Sequence, residues 1–361
     1  MKKILPPPRK LKTYAGDYYS INSIFGNDWA RIYILLGGRE AGKSYSAMRW
    51  AIHRKLKKRN GVKLYWFRLT EKQQKKLLLS GAGDLIDPDL RRKYGIKTTV
   101  KGNSVITYKE VIKKTKSGKE KKVKKDMSEF CRVLACSTFY NDKGIGYFDN
   151  SYKGEYVVIL DEMNREESEA NRFDIVYAFT NQLENVLRSV NQNVRVIMIG
   201  NTLDEASDIL SAFNFIPDGF GRYYLKRQRA VIDNIMPSEK YKERRKGAIA
   251  TQLNGEASTF TNEVEIDRSL IVNPRKAQKI QSIIKFTKSK KDWFSLYEGG
   301  IIKGYSGESC KNTIAMRQYM DDVFDLKRVE MIVDLFNVRG LLFTNVATFK
   351  RFQKQLRLLK K

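Results

Sequence analysis

Residues Gly37 to Ser44 read Gly-Gly-Arg-Glu-Ala-Gly-Lys-Ser, a complete G-x-x-x-x-G-K-S/T pattern set between an apolar run from Arg31 to Leu36 and helix-compatible sequence. Strand, loop and helix in that order form the context this pattern needs. Glycines at both ends let backbone N–H groups fold into a cup around phosphates. Lys43 then reaches the terminal phosphates, and the Ser44 hydroxyl is placed to ligate magnesium. Gly37, Gly38, Arg39, Glu40, Ala41, Gly42, Lys43 and Ser44 therefore constitute an expected binding loop for a nucleoside triphosphate, ATP with Mg2+.

A second feature bears on hydrolysis. Tyr156 to Leu160 is an unbroken apolar run, as in strands buried on both faces, and Asp161-Glu162 follows at its carboxyl end. Ligands of open parallel sheets sit at that end. Asp161 is suited to hold magnesium with Ser44, and Glu162 to orient and deprotonate an attacking water. Cleavage is thus expected at the tip of two adjacent buried strands.

Lys and Arg number 69 against 40 Asp and Glu, a net charge of +29 over 361 residues. Such an excess points to a polyanion, because cationic side chains gain free energy by releasing counterions from phosphate backbones. Nucleic acid is the first candidate. A membrane is not expected, since the sequence has no 18-residue apolar span, and the start Met1-Lys-Lys-Ile-Leu-Pro has no hydrophobic segment of a secretory signal. Cys131, Cys136 and Cys310 form no C-x-x-C pair and read as reduced thiols in a cytoplasm. With His53 as the single histidine, zinc and histidine-based acid–base chemistry have little material.

The order of motifs predicts an α/β nucleotide-binding domain over 1–225, with a mostly parallel sheet and helices on both faces. Ala47, Met48, Ala51, Ile52 and Leu56 mark the inner face of the helix after the loop. Strands are predicted at Val62–Phe67, Cys131–Cys136, Tyr156–Leu160 and Val194–Gly200, with a helix at Glu71–Leu79. Residues 98–127 read as a protruding hairpin inserted in that sheet, ending in the lysine-rich run Lys113 to Lys125. That run is either a solvated face or a DNA-contacting arm. A linker over 226–262 carries a bridging helix from Ser238 to Leu253. A smaller α+β unit over 263–361 follows, with strands at Ile283–Phe286, Trp293–Tyr297 and Ile301–Tyr305 and helices at Ile314–Tyr319 and Val346–Leu359.

With the loop, the Asp161-Glu162 strand and the Gly200-Asn201 strand end in place, the chain resembles the genome-packaging ATPases of tailed bacteriophages. It is most similar to the small motor proteins of the Picovirinae group and, more distantly, to large terminase subunits. Arg39 within the loop and Lys143 in the polar loop after the third strand are markers of that resemblance. It implies a P-loop fold of the additional-strand (ASCE) type, and a role for Asn201 in sensing the γ-phosphate. It implies further that Arg188 is offered to a neighbouring subunit's nucleotide, with Arg172 and Arg195 as alternatives, and that Lys143 assists it. The implied partners are double-stranded DNA, the portal, a structural packaging RNA and further copies of the chain in a pentameric ring, acting at the procapsid in the cytoplasm of an infected bacterium.

In large terminases the C-terminal domain is an RNase H-like nuclease that holds two metals with several carboxylates. The first candidate strand here offers Ser295, Tyr297 and Glu298 rather than an aspartate, and Asp321, Asp322 and Asp325 read equally as a solvated helix face, with Asp334 also available. A vestigial domain without cleavage is expected. The leading expectation is an ATP-driven motor that packages double-stranded DNA. A helicase or translocase acting on free nucleic acid, and a nucleotide-switched nucleic-acid-binding protein, are the alternatives.

Overall fold

The computed structural model describes residues 13–14, 18–27, 29–38, 40–58, 61–114, 120–144, 152, 154–163, 174–188, 193–201, 207–213, 215, 217, 220–246, 268–272, 279–286, 293–304, 313–316 and 323–359. Two compact units emerge, one formed by Met1–Asp208 with Gly219–Glu263, the other by Ile209–Asp218 with Val264–Lys361.

The first unit opens with a two-stranded ribbon, β1 (Thr13–Tyr14) and β2 (Tyr18–Tyr19). Its large sheet contains β3 (Ile32–Leu36), β4 (Val62–Arg68), β5 (Lys97–Lys101), β6 (Ser104–Lys114), β7 (Glu120–Ala135), β8 (Glu155–Asp161), β9 (Val194–Gly200), β10 (Gly221–Leu225) and β11 (Ala230–Asn234). Their spatial order is β10-β11-β3-β9-β8-β4-β7-β6-β5. From β11 through β7 every neighbouring pair is parallel, and antiparallel strands extend both edges. Parallel strands need cover on both faces, which explains the near-continuous Val/Ile/Leu runs. Every residue of β8 is buried. Helix α1 (Lys43–Lys58) turns Ala47, Met48, Ala51 and Ile52 to one face, where they join Tyr33, Leu35, Trp66 and Val157. On α4 (Ile175–Leu187), Phe179 meets Phe67 edge-on.

The α/β class is as expected, with several local corrections. The strands ending at the loop and at Asp161 are not adjacent: β9 lies between them, because its Val-Arg-Val-Ile-Met-Ile run is as apolar as either neighbour. The hairpin and the third core strand are one unit, since β7 runs unbroken from Glu120 to Ala135. A domain end at 225 would cut the β10–β11 hairpin, whose second strand pairs with β3 along its length. Leu56 is 49% exposed, too near the end of α1 to reach the core.

Two short helices, α2 (Glu71–Ala82) and α3 (Pro88–Tyr94), follow β4; α2 starts from a capping box in which Thr70 and Gln73 satisfy each other's backbone N–H groups. Helix α5 (Ser207–Ala212) contains the chain division at Asp208. The bridging helix is described as α6 (Glu239–Lys246), capped by Ser238 Oγ; its predicted remainder to Leu253 lies outside the described residues.

The second unit has β12 (Ile280–Phe286), β13 (Trp293–Tyr297), β14 (Ile301–Gly304), β15 (Thr313–Met316) and β16 (Leu342–Phe343), in the order β15-β12-β13-β14-β16. Helices α7 (Val323–Asn337) and α8 (Val346–Leu359) contribute to its core, where the Phe286, Phe294, Phe343 and Phe352 rings pack at centroid separations of 5.1–5.7 Å. The helix predicted from Ile314 is instead strand β15 through Met316. Ile314 and Met316 are both buried, a period of two, and the segment pairs in parallel with β12.

Candidate functional site

Sheet register collects the predicted residues at one edge. Leu36 pairs with Gly200, Ile199 with Asp161, and Leu160 with Phe67, so Gly37, Asn201, Asp161 and Arg68 all leave the sheet at the same carboxyl-end level. This is where a parallel sheet offers its loops to ligands.

The loop is built for close backbone approach. Glu40 and Gly42 have φ of 63° and 86°, and a Cβ on Gly42 would come within 3.0 Å of Tyr18 Cβ, so glycine satisfies both constraints at position 42. Lys43 is 5% exposed and its Nζ donates to Gly37 O and Gly38 O, both at 2.7 Å. The ammonium thus lies within the loop it is expected to serve. Ser44 Oγ donates to Asp161 Oδ1 at 2.9 Å, bringing together the two expected magnesium ligands. Arg39 lies outside the described residues.

The N-terminal ribbon braces this loop from below. Tyr19 N donates to Ala41 O at 3.0 Å, and Tyr19 Oη donates to Asp233 Oδ2 at 2.7 Å. Asp233 is fully buried and takes two further hydrogen bonds from Arg222, at 2.7 and 2.8 Å. Burial, then the neighbouring Asp233 charge, pushes the Tyr19 hydroxyl well above its ordinary pKa. A buried carboxylate is costly unless paired and hydrogen-bonded, and here it is both.

Glu162 follows β8 with φ of 56°, in the left-handed region, which swings its half-exposed carboxylate out of the strand line. Arg68, the last residue of β4, reaches both acids: Nη2 lies 3.2 Å from Asp161 Oδ2 and Nη1 2.6 Å from Glu162 Oε2. The Glu162 contact is an ion pair without hydrogen-bond alignment, and Arg68 Nε and Nη1 are buried with no hydrogen-bond partner. Sequence reading ended this strand at Phe67 and missed Arg68. The available signal was a lone cation at the carboxyl end of a buried run.

Beyond β7, the loop bearing Lys143 is tied to α4. Gln182 Nε2 donates to Asp142 Oδ2 at 2.5 Å and to Ala135 O at 3.1 Å, and Asn185 Nδ2 donates to Phe139 O at 2.6 Å. Lys143 is exposed at the end of that loop, and Arg188 is exposed where α4 ends, its backbone at φ 45°. Neither is brought to Lys43 or Asp161 by a described contact. Arg195, an alternative to Arg188, is committed elsewhere. It pairs with Glu155 at 2.5 Å and donates to Tyr33 Oη at the amino end of the strands, opposite the loop. Arg172 lies outside the described residues. Asn201 is half-buried at the root of the loop.

Among the described residues, no three His, Cys, Asp or Glu side chains group as a metal cage. A hydroxyl and one carboxylate are a poor site for zinc but suit magnesium, which retains water and shares its shell with phosphate oxygens. The donor set therefore fits Mg2+ carried by a nucleotide.

No protein-family model matches the sequence, and no curated protein matches it. Among solved structures, the chain is similar to one described as the bacteriophage Phi-29 viral genome packaging motor assembly, at 18% identity and a TM-score of 0.60, covering 95% of this chain and 99% of that one. It is also similar to the Phi-28 DNA packaging motor, at 15% identity and a TM-score of 0.53, covering 96% and 99%. At such identities the likeness is one of fold, and it extends over 95% of this chain for the Phi-29 structure and 96% for the Phi-28 structure.

Proposed function

We propose that this chain is an ATPase that drives double-stranded DNA into a viral procapsid, working as a ring of identical subunits in the cytoplasm of an infected bacterium. The observation that carries the reading is the meeting of Lys43, Ser44, Asp161 and Glu162 at one sheet edge, on a fold shared over nearly its full length with phage packaging motors.

The chain's own groups divide the work. Lys43 would exchange two carbonyl oxygens for the terminal phosphates, and Arg39 would add a second cation. Ser44 and Asp161 would hold Mg2+. When bound, that ion would supply charge neutralisation for the phosphates. Glu162 would accept a proton from the attacking water, for which it must leave Arg68. Asn201 would sense the γ-phosphate. Arg188, with Lys143, would reach the next subunit's nucleotide, where an arginine in trans contributes on the order of a thousandfold in rate. The shared anchoring of α4 and the Lys143 loop through Gln182 and Asn185 supports their acting as one surface.

A pentameric ring, a portal surface and a packaging RNA as partners belong to the same reading. So does a second unit that grips or docks without cutting. Asp321 and Asp322, weighed in the sequence as carboxylates of this unit, lie outside the described residues. No helix among the described residues is long and apolar enough to cross a membrane.

The test is phosphate release with and without DNA, followed by protection of DNA from nuclease when protein, ATP and empty capsids are combined. Lys43→Ala and Glu162→Gln should abolish both; release at the unaltered rate would overturn the reading. Mixing Arg188→Ala with Glu162→Gln subunits should restore part of the hydrolysis, whereas total loss at every ratio would remove Arg188 from the trans role.

A further inference from the structure

Strand β5 pairs with β6 only from Ser104 to Tyr108. From Lys109 onward β6 and β7 continue together, Lys109–Lys114 against Glu120–Lys125, and among the described residues no third strand joins them. The ribbon departs from the sheet at a bulge, where the register skips between Thr107 and Lys109 and Asp126 takes φ of 55°. Bulges bend a strand pair and sharpen its twist, so the departure is built into the fold.

These twelve positions hold seven lysines and two glutamates. Their register is unusual: Lys109 stands opposite Lys125 and Lys113 opposite Lys121, with Val111 opposite Val123 between them. Alternate pairs share a face, so the pair of Lys109 and Lys125, two directly opposed like charges, stands on the face away from both glutamates. Opposed like charges destabilise a ladder, whereas an ordinary solvated ribbon interleaves signs. The glutamates sit on the other face, Glu110 opposite Lys124 and Glu120 opposite Lys114, and Glu110 is already bound by Lys97 of β5. Among the described residues, Lys109 and Lys125 enter no ion pair. On that second face Ile112, opposite Lys122, is 63% exposed and serves no core.

We propose that this ribbon is a duplex-DNA-binding arm that lies along a groove and neutralises backbone phosphates with Lys109, Lys122, Lys124 and Lys125. Six residue pairs span about 20 Å, and a two-stranded ribbon is one of the two elements the major groove of B-form DNA admits. The proposal takes its polymer from the motor reading above, but its test does not depend on hydrolysis.

The test measures affinity of the full chain for a 30-base-pair duplex DNA of mixed sequence, and for RNA duplex of the same length, across a salt series without nucleotide. Replacing the four lysines by glutamine should lower the slope of log affinity against log salt by about 3.6, near 0.9 per lost phosphate contact. A control replacing Lys72, Lys76, Arg92 and Lys93, exposed on α2 and α3, removes equal charge and should lower it by less than 1. A second variant joins Tyr108 to Asp126 through Asn-Gly, which removes all four lysines, and should lower the slope at least as much, with basal phosphate release unchanged in both. A slope on DNA that changes by less than 1, or no more than in the control, overturns the arm, whatever is seen with RNA. That result would leave the motor reading standing if Lys43→Ala still abolishes turnover.

Discussion

Ser44 Oγ and Asp161 Oδ1 are joined by a 2.9 Å hydrogen bond that links the first turn of α1 to the end of β8 across the intervening β9. Two oxygens held this close need little movement to share an ion. Asp161→Asn and Ser44→Ala should each weaken binding of magnesium–ADP by about 10-fold or more, while ADP measured in EDTA changes less than about threefold. Titration calorimetry with and without the metal reads the difference; equal losses in both conditions would take the pair out of the metal site.

Arg68 places one guanidinium against two carboxylates. Its removal leaves Asp161, 5% exposed, without its cation, at a cost of about 1–3 kcal/mol to the metal-free protein. Magnesium with ADP should replace that charge, so the Tm deficit of Arg68→Ala should shrink when both are added. Arg68→Lys, which keeps a charge but not the fork, should fall between. A deficit that is the same with and without the metal would mean the pairing is unrelated to the ion.

Glu155, at the amino end of β8, is buried, which alone would raise its pKa; hydrogen bonds from Arg195 and Arg54 outweigh burial and hold it below the ordinary value of 4.5. The folded form therefore binds this proton less tightly than the unfolded chain. The stability it contributes is complete above the unfolded value and is lost as pH falls through the lower folded value. Glu155→Gln should cost about 2–4 kcal/mol at pH 7, and the gap to the parent protein should close progressively below pH of about 4. Urea melts at a series of pH values measure it.

Burial pushes the thiols of Cys131 and Cys136 upward, beyond the reach of mild alkali. In a Cys310→Ser background neither should react with a thiol reagent at pH 8 under native conditions, and both should react once guanidinium unfolds the chain. Fast native labelling would show that β7 opens readily near the loop bearing Lys143.

The loop's geometry and the place of Asp161-Glu162 at a strand end were legible because each depends on local chemistry: a glycine where the backbone takes positive φ, carboxylates behind a buried run. Arg68 was not, since its meaning lies in β4 standing beside β8, a pairing that periodicity does not encode. Arg195 was ambiguous for the same reason. One end of a strand or the other decides whether a cation meets nucleotide or a structural glutamate, and only the sheet tells them apart. The segment 313–316 misled because four residues carry too little period to separate helix from strand. The ribbon's charge was plain in the sequence, but the opposition of Lys109 and Lys125 came only with the register.

Glu162 occupies backbone space that costs a side-chain-bearing residue about 1 kcal/mol and a glycine almost nothing. With Glu162 as the proposed base, selection for heat resistance and selection for turnover would pull this position in opposite directions. A lineage that lost its need for the reaction would be free to drift there toward glycine, so the residue found at 162 in a divergent descendant would record whether its engine still runs.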